Sequence, residues 1–371
     1  MNVPLIDLQA QYHSIRETVR QAVDRVFETQ QFVMGPEVAA LEKEVAAYCQ
    51  TTEAIGCASG SDALLLALMA LNVGRDHEVI TTPFSFFATA SAIARLGARP
   101  IFVDIDPVTY NLNIDHIPAA ITSRTRVVIP VHLYGQCAEM DRVLALCHAK
   151  NLIVLEDAAQ AIGAEDRGRR AGSMGIAGCF SFYPSKNLGA AGDAGIITTS
   201  DADFAARVKR LRVHGGLTEY QHIEVGINSR IDAIQAAVLR AKLPHLDGWS
   251  NARAEKAAVY SHLLEGAKLN FRIVPPFIRP DGRHIFHQYV LRVPEHRDAL
   301  MEHLKARGVA TKIYYPIPLH LQECFAYLGY KEGAFPEAER AARETFALPL
   351  YPELTLEQQE YVVNAIQDFR P

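Results

Sequence analysis

The chain has little of what marks several large protein classes. Among 371 residues there are one Trp, six Met and six Cys, and 37 Lys plus Arg stand against 42 Asp plus Glu, a formal net charge of −5. A strong nucleic-acid binder shows a basic stripe or domain, which this balance argues against. Cys49, Cys57, Cys137, Cys147, Cys179 and Cys324 are scattered and form no C-x-x-C pair. Such thiols fit a reduced, cytosolic protein better than a disulfide framework or a structural zinc site. The longest apolar run, ALLLALMAL at 63–71, is far too short to cross a bilayer. The opening MNVPLIDLQAQYHSIRETV has no basic segment leading into an apolar one, so no secretory leader is expected and the expected compartment is the cytoplasm. No Walker motif, G-x-S-x-G or G-x-G-x-x-G is present, and the glycine-rich GRRAGSMG at 168–175 has the wrong spacing. A nicotinamide-dependent dehydrogenase would therefore lack its phosphate-binding fingerprint. His284 and His287 in RHIFHQ have no third ligand nearby, so no metal site is expected.

What remains is an ordinary globular composition, 49% hydrophobic and 21% charged. The length suits two or three domains at about 100–200 residues each. Between residues 54 and 200 short apolar runs, AIGCA, EVITT, RPIFVDI, RVVIPVHL and LIVLED, alternate with helical stretches. That alternation predicts an α/β domain with a large, mainly parallel sheet, its strands apolar throughout because both faces are covered. GCFSFYPSK and AGIITTS supply two further strands. The segment 230–267 is strongly helical with a break near Pro244, which places a domain boundary around 245–255. The chain then divides into a large domain over 1–250, including the N-terminal segment, and a smaller C-terminal α+β domain over 251–371. In the latter, HQYVLRV and VATKIYY read as strands.

In open α/β sheets ligands bind beyond the carboxyl ends of the strands. After AIGCA comes SGSDALLLAL, small residues opening onto a helix, a start suited to a phosphate or simply to a Ser N-cap. After EVITT come Phe86 and Phe87, either of which can stack on a flat ring or serve the core. After LIVL come Glu156 and Asp157, with Gln160 three residues on. SFYPSKNLGAAGDAG places Lys186 alone among small residues and aromatics, where desolvation lowers an amine toward a usable nucleophile. Each feature has a bland alternative. Together, a phosphate-ready helix start, an aromatic, a strand-end acid and a lysine match pyridoxal 5′-phosphate.

EDAAQAIGA with SFYPSKNLGAAGDAG, and also VPLIDLQAQY, GPEVAALE, GCASGSDAL, VGINSRIDAIQAA and YYPIPLHLQ, resemble the DegT/DnrJ/EryC1/StrS sugar aminotransferases of fold type I along almost the whole chain. The resemblance implies that Lys186 carries the cofactor and moves the proton. It gives Asp157 the pyridine nitrogen, Gln160 the ring hydroxyl, and Gly60, Ser61 and Ser181 the phosphate. Phe86 stacks on the ring where relatives usually have Tyr or Trp. Asn228 reaches the phosphate of the partner's cofactor, so a homodimer with shared sites is expected. Arg230, Tyr314, Tyr315 and His320 are the implied substrate contacts. Relatives with His in place of this lysine act as dehydratases, so Lys186 implies transamination, with glutamate as donor and a nucleotide-linked keto sugar as acceptor, in ping-pong order. EDAAQ and YPIPLHLQ are closer to members acting on 3-keto than on 4-keto sugars. A 4-keto acceptor, a dehydrogenase and a non-catalytic cofactor-binding regulator stay as alternatives.

Overall fold

The computed structural model describes residues 1–218 and 220–371. Helices α1 (Leu8–Thr29) and α2 (Gly35–Tyr48) lead into strand β1 (Glu53–Cys57) and helix α3 (Gly60–Ala70). Then follow β2 (Glu78–Thr81), α4 (Ala88–Arg95), β3 (Arg99–Phe102), β4 (Thr125–Val128), α5 (Met140–Ala149) and β5 (Ile153–Asp157). Strands β6 (Ala177–Ser181) and β7 (Gly195–Thr199) complete a seven-stranded sheet of order β1-β7-β6-β5-β4-β2-β3. Strands β6, β5, β4, β2 and β3 are parallel, while β7 runs antiparallel to both β6 and β1. The sheet is the mainly parallel one expected; β2 and β7 are buried on both faces, while the edge strand β3 and the start of β4 are partly exposed.

Helix α3 explains itself by composition. Its sequence GSDALLLALMA is apolar all round, and it lies buried in the cluster that joins Ile55, Val79, Val127, Leu155 and Ile197 of the sheet to the helix Ala202–Leu211, α6. Ser59 caps it by accepting from the Asp62 N–H at 3.1 Å. Two glycines let the strand ends close on this helix start. A Cβ at Gly60 would lie 2.6 Å from Cβ of Ser181, and one at Gly195 would lie 2.4 Å from the carbonyl of Ser59. Any larger residue at either place would push the start of α3 away from the ends of β6 and β7.

Beyond α7 (Ala233–Lys242) a 3-10 turn at Leu243–His245 contains Pro244 and passes straight into α8 (Leu246–Gly266). The break expected at Pro244 is thus a tightened turn between two helices. The residues 245–255 are not a linker but that turn's end and the first half of α8. A second cluster holds Ala257, Tyr260 and Leu264 of α8 with Tyr289, Leu300, Phe346 and Val362. Val3 belongs to it, pairing in parallel with Val309 through Val3 N–H to Gly308 O and Ala310 N–H to Val3 O. The first residues therefore pack with the C-terminal body, unlike the expected division, because the chain start supplies a β-bridge there.

HQYVLRV forms a strand at Tyr289–Arg292, paired antiparallel with Thr345–Leu348. VATKIYY does not: it makes two isolated bridges, Val309 to Val3 and Lys312 to Ala347. Pro316 and Pro318 lack the N–H groups a continued ladder needs. The stretch instead carries Tyr314 and Tyr315 alongside Phe84, Tyr110 and Tyr134, in the cluster where the two halves of the molecule share a core.

Candidate active site

At the end of β5 successive side chains take opposite faces, so Glu156 and Asp157 have different surroundings. Glu156 is fully buried and accepts from the N–H groups of Gly172, Met174 and Gly175, each at 2.7 Å, and from His132 Nε2 at 2.9 Å. His132 Nδ1 accepts from the Ala138 N–H, so the ring proton sits on Nε2 and points at Glu156. Burial opposes ionisation of Glu156, but His132 and the backbone N–H groups outweigh it and hold its pKa below the usual range. This acid staples the 172–175 turn beneath the sheet.

Asp157 has no such saturation. It is 4% exposed, accepts from Thr89 Oγ1 at 2.7 Å and from the Ala159 N–H at 3.2 Å, and has no arginine or lysine in salt-bridge contact among the described residues. Burial raises its pKa, against the pull of Thr89, Ala159 and the Lys186 charge. Thr89 has one hydroxyl hydrogen, committed to Asp157, so Ser85 donates to Thr89 at 3.1 Å. Thr89 went unnoticed in the sequence because a helix threonine has many uses. Only its contact with β5 distinguishes it.

Lys186 lies in the turn after β6, its N–H bonded to Tyr183 O at 2.8 Å. Burial lowers its pKa to about 8, with the Asp157 carboxylate opposing the shift. The neighbouring Asn187 pins the turn: its Nδ2 donates to Ile285 O at 3.1 Å and its Oδ1 meets His287 Nδ1 at 3.1 Å. Gln160 bridges two elements. Its Oε1 accepts from the Tyr134 N–H at 2.7 Å and its Nε2 donates to the Tyr315 hydroxyl at 2.8 Å. The Tyr315 ring stands 6.3 Å from that of Phe86, which is half open to solvent just before α4. Burial and the nearby Asp157 carboxylate push the Tyr315 hydroxyl well up, so it stays protonated.

The buried strand-end carboxylate, the partly buried lysine, and a helix start closed against Ser181 stand together at one edge of the sheet. The model of the DegT/DnrJ/EryC1/StrS aminotransferase family matches residues 13–367. The chain belongs to this family. It is 42% identical, over 98% of its length and 97% of the relative's, to a UDP-N-acetyl-3-dehydro-alpha-D-glucosamine 3-aminotransferase of Acidithiobacillus ferrooxidans. It is 50% identical, over 100% of its length and 99% of the relative's, to a pleiotropic regulatory protein of Geobacillus stearothermophilus. A crystal structure of DesV from S. venezuelae in complex with a ketimine intermediate superposes with a TM-score of 0.95 at 41% identity, covering 99% of this chain and 98% of that one. The fold is accordingly that of the family's aminotransferases, and the chain is an aminotransferase.

In this aminotransferase the loop carrying Asn228 and Arg230 is tied to the start of α3 by the residue between them. Ser229 is fully buried, donates to Asp62 Oδ2 at 2.7 Å and accepts from the Ala58 N–H at 3.1 Å. Sequence reasoning passed over it, since nothing about a serine between two long polar residues announces a buried bond across 167 positions. Asn228 itself is exposed and its side chain makes no hydrogen bond among the described residues. Arg230 is half-buried, Ser61 is half-buried in the first turn of α3, and Tyr314 is half-buried with its carbonyl accepting from the Tyr134 hydroxyl. His320 is a correction. It is 1% exposed, its Nε2 meets Glu339 Oε1 at 3.0 Å, and its ring packs edge-on against Phe335. The buried bond to Glu339 makes it a brace for the turn before the helix Pro336–Glu344, shut away from solvent.

Proposed function

We propose that the enzyme moves the amino group of glutamate to the C3 keto group of a nucleotide-linked sugar, using pyridoxal 5′-phosphate in ping-pong order. The observation that carries this is the buried Asp157, held by Thr89 and the Ala159 N–H with no cation in salt-bridge contact among the described residues, near Lys186, whose ammonium burial brings down to about 8. The residues fit the cofactor. A buried carboxylate without a cation is costly, and a protonated ring nitrogen supplies one. The start of α3, with the N–H groups of Gly60 and Ser61 and the Ser181 hydroxyl beside them, suits a phosphate. Phe86 offers an open ring face, and Gln160 a polar amide edge already oriented by Tyr134 and Tyr315.

When bound, the cofactor supplies an aldehyde that accepts an amino group and a ring that withdraws electrons from the neighbouring carbon. Lys186 holds the cofactor and then, as a free amine, takes and returns a proton at Nζ. Asp157 keeps the ring nitrogen protonated, and Thr89 keeps Asp157 in place. Relatives named as acting on 3-keto or 3-amino nucleotide sugars support the acceptor, including a UDP-2-acetamido-2-deoxy-3-oxo-D-glucuronate aminotransferase of Pseudomonas aeruginosa at 40% identity. Arg230, Tyr314 and Tyr315 are the sugar contacts under this reading. A panel of 3-keto and 4-keto sugar nucleotides, offered with glutamate, tests it. Amination of a 3-keto member is expected, and exclusive use of a 4-keto sugar would overturn the regiochemistry. The regulatory relative raises a second reading, a cofactor-binding regulator. Absence of turnover across the whole panel, with cofactor bound, would favour it.

The working unit in this proposal is a homodimer. Leu217, Tyr220, Ile223 and Val225, on the segment just before Asn228, are exposed apolar residues of the kind a partner covers. Two domains, 1–250 and 251–371, remain the working division, with the first residues crossing to the second. A cytoplasmic location agrees with six unbonded cysteines and with no helix among the described residues long and apolar enough to span a membrane. If Asn228 completes the partner's site, Lys186→Ala and Asn228→Ala subunits complement one another. A mixed dimer carries both lesions in one site and neither in the other. Activity after subunit exchange should rise above the weighted average of the parents. A curve that stays on that average, with tagged heterodimers confirmed, would show that Asn228 serves its own chain.

A further inference from the structure

Beside the Lys186 turn lies a cavity of about 40 Å³, walled by Ser185, Arg253, His287, Gln288 and Tyr314 and closed by apolar residues. Roughly 10–15 Å³ admits one water, so this space takes a few waters or a carboxylate. Its chemistry is one-sided, since none of its lining residues is acidic. Arg253, on α8, is 3% exposed, and its Nη1 donates to Leu350 O at 2.8 Å and Phe286 O at 3.3 Å. Those two carbonyls fix the guanidinium, yet it makes no ion pair among the described residues. Glu353 is the acid whose charge reaches it, and burial raises the pKa of that half-buried carboxyl. His287 adds no charge: burial and the Lys186 and Arg253 cations drive its pKa far down. Gln288, 9% exposed, has an amide oxygen buried without a partner.

A buried guanidinium without an anion and a buried acceptor without a donor are both costly. One ligand relieves both: a group with a carboxylate next to an N–H donor. The head of an α-amino acid is such a group, and its amine would have to reach the cofactor carbon that Lys186 would hold, one residue from the cavity wall. We propose that Arg253 receives the α-carboxylate of the amino donor and that Gln288 orients its amine, so that this cavity is the donor subsite. This deepens the transamination reading and rests on it. Neither residue stands in the motifs that mark the site. Arg253 falls in a helix of ordinary composition, and α8 brings it to the Lys186 turn only in three dimensions.

The test uses the holoenzyme and separates the half-reactions. Arg253→Lys keeps the charge on its stem but loses the planar fork. Gln288→Leu keeps the volume and removes the acceptor. Arg253→Lys is expected to raise KM for glutamate roughly 10–100-fold, as loss of a charge-assisted hydrogen bond does. Gln288→Leu should raise it roughly 3–10-fold, the scale of a neutral bond. Acceptor KM, measured from the pyridoxamine-loaded enzyme with the keto sugar, should move far less. Calorimetric binding of 2-oxoglutarate to the pyridoxamine-loaded form should weaken in parallel with the glutamate KM. Unchanged glutamate KM and 2-oxoglutarate binding in both variants would overturn the proposal and leave the cavity to water. An equal rise in donor and acceptor KM would also overturn it, assigning Arg253 to the scaffold. A wild-type enzyme that refuses glutamate but uses another amino acid would sink the glutamate reading alone. The same variants, measured with that amino acid, then decide the subsite.

Discussion

Replacing Lys186 with alanine is expected to lower turnover about 10³-fold or more, since under the proposed function one side chain both holds the cofactor and moves the proton. The protein should still fold. The turn is held by its backbone bond to Tyr183 and by Asn187, neither of which needs the ammonium. The substituted enzyme should keep some affinity for cofactor through the start of α3 and Phe86. Borohydride treatment of the native holoenzyme should fix the cofactor on the peptide containing Lys186, and recovery on another lysine would overturn the assignment. The pH dependence has a definite sign. Burial brings the Lys186 ammonium down to about 8, so the nucleophilic free amine accumulates as pH rises through 8, well below the ordinary lysine range. Capture of the aldehyde by cofactor-free protein, followed by its absorbance, should therefore have its midpoint near pH 8. A midpoint in the ordinary range near 10.4 would mean that the turn leaves Lys186 hydrated.

Asp157→Asn should fold and lose turnover by hundreds-fold or more. The Asn oxygen keeps the bond from the Ala159 N–H, and its amide nitrogen donates to Thr89 Oγ1 once that hydroxyl turns toward Phe86 O, so the packing at the end of β5 survives. What it cannot do is hold a proton on the ring nitrogen by charge. Breaking a buried charge pair costs about 3–5 kcal/mol, and each 1.36 kcal/mol is tenfold in rate. The loss should fall on proton transfer, common to both half-reactions, so donor and acceptor rates drop together. That shared drop separates Asp157 from Arg253, whose effect is confined to the donor. Wild-type-like turnover of the Asn variant would give the strand-end acid another role. Thr89→Val checks the support: it should reduce the rate by less than Asp157→Asn, since the charge remains while one of its two anchors is lost.

The sequence by itself determined the class of fold and pointed to the residues proposed as the reactive core of the site. Apolar runs such as EVIT and GIITT can sit only where both faces are covered, and that requirement yields a helix-covered sheet with ligands at its carboxyl edge. Lys186, Asp157, Gln160 and the start of α3 were legible because they follow strands or motifs at short range. Other features were decided only in three dimensions. LIVLED offers two acids, and the alternation of side chains along β5 turns Glu156 toward the 172–175 turn and Asp157 toward Thr89. Nothing in YYPIPLH separates Tyr315, whose hydroxyl is bonded to Gln160, from His320, which is buried against Glu339. Ser229, Thr89 and Arg253 act through partners 167, 68 and 97 positions away, respectively Asp62, Asp157 and Leu350. The expected strand VATKIYY and the expected place of the first residues failed for one reason. Whether an extended segment joins a ladder depends on a free edge and on N–H groups facing it, and packing, not local pattern, supplies the edge.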